Sequence, residues 1–289
     1  TEVDRYLLSN NDIPAEALAK LDTGKAPRSS YLSSDASKIQ VFVLFGLDGV
    51  DSSDSVMLVA LDRVHQKIKL ISLARDSYVF IPEFASFSKL AYSYTWGGAA
   101  MAVKNLNYNY YLNVSDYIAV DFDQLAEIID RIGGVTVNID EDEARYLSNY
   151  PNVHVGDCLL DGETAVSYAR IRKSSATDSD RKRTGRQREV ILSILNTLQT
   201  MPLSQYPRFV RDCLGMCATS FEAETLLTMA AETLGQNYTV EQYFFPEGQV
   251  DWWAGLIKEY FYYVYDLRRA SDRIYRIIYE ELYISGYDD

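Results

Sequence analysis

Long apolar runs are missing from this chain, and no stretch of 18 residues is hydrophobic enough to span a bilayer. No signal-peptide pattern opens it either. Cysteine is scarce, and three copies are too few for a disulfide framework. Cys213 and Cys217 lie four apart, on one helical face, and read as small buried hydrophobes. A disulfide between two of the three is the alternative in an oxidising exterior. No Cys-x-x-Cys pair or His/Cys cluster suggests zinc. The two histidines read as structural, His65 in a predicted hairpin turn and His154 just ahead of Gly156. A glycine-rich phosphate loop and a serine nucleophile elbow are both lacking, which argues against P-loop and serine-triad chemistry. The net charge of −13 excludes nucleic acid as a general partner, since a polyanion would be repelled. It leaves room for a local basic pocket.

What the chain does have is 47% hydrophobic residues over 289 positions, enough for a full core. Residues 1–37 are polar, with a short helical stretch near Ala15–Leu21, and read as a lead-in to a domain over 38–289. The apolar run Lys38–Gly46 predicts a buried strand, and Ser55–Leu61 with Lys67–Leu73 predicts a hairpin. Ala99–Asn107 is a modest helix candidate. Phe122–Ile132, with Leu125, Ile128, Ile129 and Ile132 on one face, predicts a helix ended by Gly133-Gly134. The strand Val135–Ile139 follows, then a helix capped by Asp161 and an amphipathic helix over Arg186–Leu198. Further helices are expected near Tyr206–Cys217 and Phe221–Leu234, strands near Val240–Phe245 and Tyr260–Val264, and a closing helix over Asp266–Tyr283. Strands and helices intermix without a repeat, so the expected fold is α/β (α+β), a single domain with a central mixed β-sheet flanked by helices.

Three features carry chemistry. Asp48 and Asp54 bracket a short loop between predicted strands, where two carboxylates can share a hard cation such as Mg²⁺. Asp in a Gly/Ser loop is also an ordinary turn residue. Arg75-Asp76 follows a predicted strand end, where an arginine can grip phosphate oxygens or simply form half of a surface ion pair. Residues 170–188 hold eight of the 28 basic residues, dense for so acidic a chain. Arg170 and Arg172 would face one side of an extended segment. Arg183 and Gln187 meet on one helical face, with Arg183 near a helix N-terminus that favours anions. A solvated basic face is the plainer alternative.

These segments, in order, resemble the LytR-CpsA-Psr family of cell-wall glycopolymer ligases: FVLFGLD…SSDSVMLVALD, KIKLISLARDSYVFIP, KLAYSYTWGG, YIAVDFDQLAEIIDRIGGVTVNI, VGDCLLDGETAVSYARIRK and DRKRTGRQREVI. The late stretch EYFYYVYDLRRASDRI is similar to the family's closing strand and helix. The resemblance spans roughly residues 38–289. It implies an enzyme anchored by a transmembrane helix ahead of Thr1, with its catalytic domain on the extracytoplasmic face of the membrane of a Gram-positive bacterium. Such an enzyme moves an anionic glycopolymer, a teichoic acid or capsular polysaccharide, from undecaprenyl pyrophosphate to peptidoglycan. By the same resemblance Asp48 and Asp54 would hold Mg²⁺ or Mn²⁺. Arg75, Arg170, Arg172, Arg183 and Gln187 would bind the pyrophosphate, with Lys89 and Arg186 at further motif positions. The family's Arg-Ser-Asp-Thr is Ser52-Ser53-Asp54-Ser55 here, so one phosphate-gripping arginine is replaced by Ser52. Its usual proline before Arg-Asp is Ala74.

The expected mechanism places cations around the pyrophosphate as charge moves to the departing prenyl phosphate. Asp76 and Asp180 are both candidates to take a proton from the attacking hydroxyl. The prenyl chain would need an apolar tunnel between the sheet and helices such as Phe122–Ile132 and Arg186–Leu198. Two rival readings stand beside the ligase: a non-catalytic polyprenyl-phosphate-binding regulator, favoured by Ser52, and a pyrophosphohydrolase.

Overall fold

The structure is a computed structural model and describes residues 3–21, 31–49, 52–172, 176–234, 238–248 and 250–285. In chain order the elements are α1 (Ala15–Leu18), β1 (Tyr31–Leu32), β2 (Ile39–Leu47), β3 (Ser53–Asp62), β4 (Lys67–Leu73), β5 (Tyr78–Ile81), β6 (Ser86–Lys89) and α2 (Tyr92–Tyr110). Next come β7 (Asp116–Asp121), α3 (Phe122–Arg131), β8 (Val135–Ile139), α4 (Glu141–Tyr146), β9 (Gly156–Leu160), α5 (Gly162–Ala169) and α6 (Ala176–Thr200). The chain closes with α7 (Tyr206–Leu214), β10 (Ala218–Thr219), α8 (Ala223–Leu234), β11 (Thr239–Phe245), β12 (Trp252–Ile257), β13 (Tyr260–Tyr265), α9 (Leu267–Tyr279) and β14 (Tyr283–Ile284). The fold class is the expected one, a mixed α/β domain with a central mixed sheet and helices. Among the described residues no helix is long and apolar enough to cross a membrane.

Backbone contacts divide the chain into two compact units: residues 1–45, 50–117 and 241–289, and residues 46–49 and 118–240. In the first, β3 and β4 form the predicted antiparallel hairpin, with Val56 opposite Leu73 and Asp62 opposite Lys67. A second hairpin, β5–β6, pairs Tyr78 with Lys89, and a third, β12–β13, pairs Trp252 with Tyr265. Leu8, Ile13 and Ala17 from the lead-in pack with Tyr78, Ile257, Tyr262 and Val264 in one core cluster. The Tyr-rich C-terminal stretch is therefore interior packing, with Tyr262, Tyr263 and Tyr265 all buried. The helix expected over 99–107 runs further, from Tyr92 to Tyr110, and bends at Gly97-Gly98. Gly98 has φ 63° and ψ −162°, a backbone state essentially restricted to glycine.

In the second unit, α3 starts on a capping box: the Asp121 carboxylate accepts from Gln124 N–H while the Gln124 side chain accepts from Asp121 N–H. Strand β8 alternates as its sequence predicts, with Val135, Val137 and Ile139 buried and Thr136 and Asn138 exposed. Leu125 and Ile129 of α3 share a core with these residues and with Val190 and Ile194 of α6. Two local expectations change. Helix α6 begins at Ala176, ahead of the predicted Arg186, so Arg183 lies within the helix and not near its N-terminus. The Ser/Thr/Asp-rich start reads as loop by propensity, but no proline interrupts it, and Gly185 costs only about 1 kcal/mol. Arg170 is likewise not in an extended segment. It caps α5, its N–H reaching the carbonyls of Val166 and Ser167.

Candidate active site

The open end of the β3–β4 hairpin carries the first half of the site. Pairing ends at Val56–Leu73; Asp54 lies two residues before it in β3 and Arg75 in the turn after β4, and Arg75 Nη1 donates to Asp54 Oδ1. The next pair joins this turn to β6, whose last residue, Lys89, lies opposite Tyr78. Lys89 Nζ donates to Asp76 Oδ1 at 2.7 Å, and Arg75 Nε lies 3.7 Å from Asp76 Oδ2. Four predicted residues thus form one chain of alternating sign, Asp54, Arg75, Asp76 and Lys89, with both carboxylates buried. The ammonium of Lys89 also faces the rings of Tyr262 and Tyr260, at 5.4 and 5.9 Å from their centroids. Asp48 follows β2 and is half-buried, as is Ser52 at the entry to β3.

The second unit holds the basic cluster. Ile171 is fully buried, whereas Arg170 and Arg172 on either side of it are exposed. Arg170 lays its guanidinium over the Phe122 ring at 4.6 Å. Arg183 and Gln187 are buried one turn apart on α6, and the Gln187 Oε1 has no hydrogen-bond partner among the described residues. Arg186, expected at the pyrophosphate, is instead engaged in the interior. Its Nε donates to Glu143 Oε1 at 2.6 Å, its Nη1 donates to the Ile171 carbonyl at 3.1 Å, and Tyr168 lies beneath it. No local pattern signals this pairing, because Glu143 lies 43 positions away. Asp180 is on α6, but its side chain lies outside the described residues.

Among the described residues, one group has three metal-ligand side chains, Asp62, His65 and Glu280, within 4.8 Å of one another. Lys69 Nζ lies 2.8 Å from Asp62 and 2.9 Å from Glu280, so an ammonium already serves these carboxylates. The three cysteines are free thiols. Burial pushes the Cys213 thiol up to about 12 and Cys217 to about 11.

Buried carboxylates ion-paired at strand ends thus mark the first unit, and an arginine cluster marks the second. The model of the LytR_cpsA_psr family matches residues 12–275, and the chain belongs to that family. Over 166 residues it is 29% identical to the polyisoprenyl-teichoic acid–peptidoglycan teichoic acid transferase TagU of Enterococcus faecalis, covering 55% of this chain and 54% of the relative. Over 163 residues it is 31% identical to the regulatory protein MsrR of Staphylococcus aureus, covering 54% and 48%. The chain thus spans about half the length of these curated relatives. The crystal structure of Bacillus subtilis TagT matches with a TM-score of 0.69 at 19% identity, covering 90% of this chain and 99% of that one. TagT bound to LIIa-WTA matches at 0.68 and 20% identity, covering 91% and 97%. At such identities the likeness shows the fold alone.

Proposed function

We propose that this chain transfers an anionic glycopolymer from a polyprenyl pyrophosphate carrier to peptidoglycan on the outer face of a bacterial membrane. The observation that carries the reading is the Asp54–Arg75–Asp76–Lys89 chain at the open end of the β3–β4 hairpin, in a family whose relatives include teichoic acid transferases. Arg75 and Lys89 are assigned to pyrophosphate oxygens, and Arg170, Arg172, Arg183 and Gln187 to the same ligand group by the family resemblance. Arg186 is reassigned from ligand contact to holding the segment that carries Arg170 and Arg172.

Asp48 and Asp54 would hold Mg²⁺ or Mn²⁺. Carboxylate oxygens are hard donors, which suits a cation that takes one or two carboxylates and completes its shell with water and phosphate. Bound there, the ion would supply positive charge to the phosphate oxygens. Every other role falls to the chain. Asp54 orients Arg75; Arg75 and Lys89 neutralise developing negative charge from fixed positions; Asp76, held by Lys89, is a candidate to accept the proton of the attacking sugar hydroxyl. Asp180 is the other candidate. An apolar tunnel for the prenyl chain belongs to the same proposal.

The test is product analysis with a lipid-linked pyrophosphate glycopolymer, with and without peptidoglycan acceptor. Transfer should require the acceptor. Arg75→Ala should lose turnover and weaken binding of polyprenyl phosphate about tenfold or more, the size of one charge-assisted contact. Equal phosphate release without acceptor would instead identify a hydrolase. Tight lipid binding with no turnover in the wild type would favour a regulator, the reading that Ser52 and the name of MsrR support.

A further inference from the structure

The turn that presents Arg75 and Asp76 is held from behind by a chain of buried hydroxyls. Ser77 Oγ donates to the Ala74 carbonyl at 2.7 Å and lies 2.8 Å from Tyr265 Oη, which lies 2.6 Å from Tyr110 Oη. All three side chains are essentially inaccessible to solvent. The direction of the chain follows from counting protons. A hydroxyl has one proton, and that of Ser77 goes to Ala74, so Tyr265 must donate to Ser77. Tyr110 must then donate to Tyr265. The result is a single polarised relay, Tyr110 to Tyr265 to Ser77 to the Ala74 carbonyl, in which each link strengthens the next.

The backbone of the same turn is fixed on every side. Ala74 N–H donates to the Phe245 carbonyl at 2.8 Å, Ala91 N–H to Arg75 at 3.0 Å, Tyr263 N–H to Asp76 at 3.0 Å and Leu90 N–H to Ser77 at 3.0 Å. Tyr110 is the last residue of α2 and Tyr265 the last of β13, so the relay pins the ends of two distant elements to four residues.

We infer that Ser77, Tyr265 and Tyr110 are positioning residues, whose hydroxyl relay fixes the Ala74–Ser77 turn so that Arg75 and Asp76 meet the pyrophosphate in one geometry. This rests on the function proposed above. None of the three touches ligand, and each acts only through the turn. Fixed geometry matters because small misplacements of a charged group lower transition-state stabilisation more than ground-state binding.

The experiment uses Ser77→Ala, Tyr265→Phe and Tyr110→Phe in the full chain, with lipid-linked polymer as substrate and Arg75→Ala as reference. Turnover number should fall in that order, about tenfold for Ser77→Ala, with KM within about twofold. Amide exchange at Ala74 and Ser77 should quicken in the same order, while the β8–β9 hairpin stays unchanged. Tyr110→Phe, furthest along the relay, keeps the series readable if Ser77→Ala folds poorly. A loss confined to thermal stability, with kcat unchanged in all three while Arg75→Ala is inactive, overturns the inference and leaves the function standing. Wild-type turnover in Arg75→Ala overturns the function, and the relay's role in it falls too.

Discussion

Replacing Glu143 by Ala should be among the most damaging single changes in the second unit. The Glu143 side chain does two jobs. One oxygen receives the Arg186 Nε at 2.6 Å; the other accepts from Asp140 N–H at 3.0 Å and closes the capping box of α4. Both charged side chains are nearly inaccessible, at 9% and 5% exposure. Removing one member of a buried ion pair leaves the other charged and desolvated, at a cost of about 3–5 kcal/mol. For a chain of this size each kcal/mol lowers Tm by roughly 2–4 °C, so the drop should be about 6–20 °C in a thermal melt. Glu143→Gln keeps the cap and a neutral acceptor and should lose distinctly less. The double variant Glu143→Ala with Arg186→Met removes the stranded charge and should recover part of the loss. A drop below about 3 °C for Glu143→Ala, or a double variant as unstable as the sum of its singles, would refute the assignment of Arg186 to the interior.

Two further outcomes follow from the same geometry. Burial disfavours a charged His65, but hydrogen bonds to Asp62 and Glu281 outweigh it and hold the pKa above 6.5. Its stabilising contribution is therefore complete below that value and is lost as pH rises through the folded pKa. The difference in denaturation midpoint between wild type and His65→Gln should shrink over that window. At Gly162 an added Cβ would lie 2.1 Å from the backbone oxygen of Ala126, which cannot swing aside. Gly162→Ala should cost at least about 1–3 kcal/mol in denaturant melts by forcing α5 from α3.

Much of the fold was legible where a local pattern is self-sufficient. Strand β8 alternates cleanly, α3 carries both its apolar face and its cap, and the β3–β4 hairpin is bounded by its polar turn. Strand β12 has no clear sequence mark, since Gly255 interrupts its apolar run; in the structure Gly255 lies against the Trp253 ring, where a Cβ would not fit. The β5–β6 hairpin has no alternating pattern to mark it, because three of the four β5 residues are buried. For the site, strand-end position singled out Asp54, Arg75 and Asp76 and the family resemblance added Lys89, whereas their linkage is seen only in the side-chain contacts. The Ser77–Tyr265–Tyr110 relay had no sequence signal, because its members come from three segments up to 188 positions apart.

One hairpin carries ionic clusters at both ends, and hydrogen-bond accounting separates their roles. At the turn, Lys69 is fully buried and its three protons meet Asp62, Glu280 and the Ile278 carbonyl, at 2.8, 2.9 and 2.8 Å. An ammonium has three donors, so this group is saturated and can only hold the turn in place. At the open end, Lys89 has Asp76 as its hydrogen-bond acceptor among the described residues and otherwise faces two tyrosine rings. Ring faces attract the charge without consuming a directed N–H bond. Under the proposed function, an arriving phosphate would therefore find donor capacity at one end of β3–β4 and a closed ion lattice at the other, although both ends hold charge of both signs.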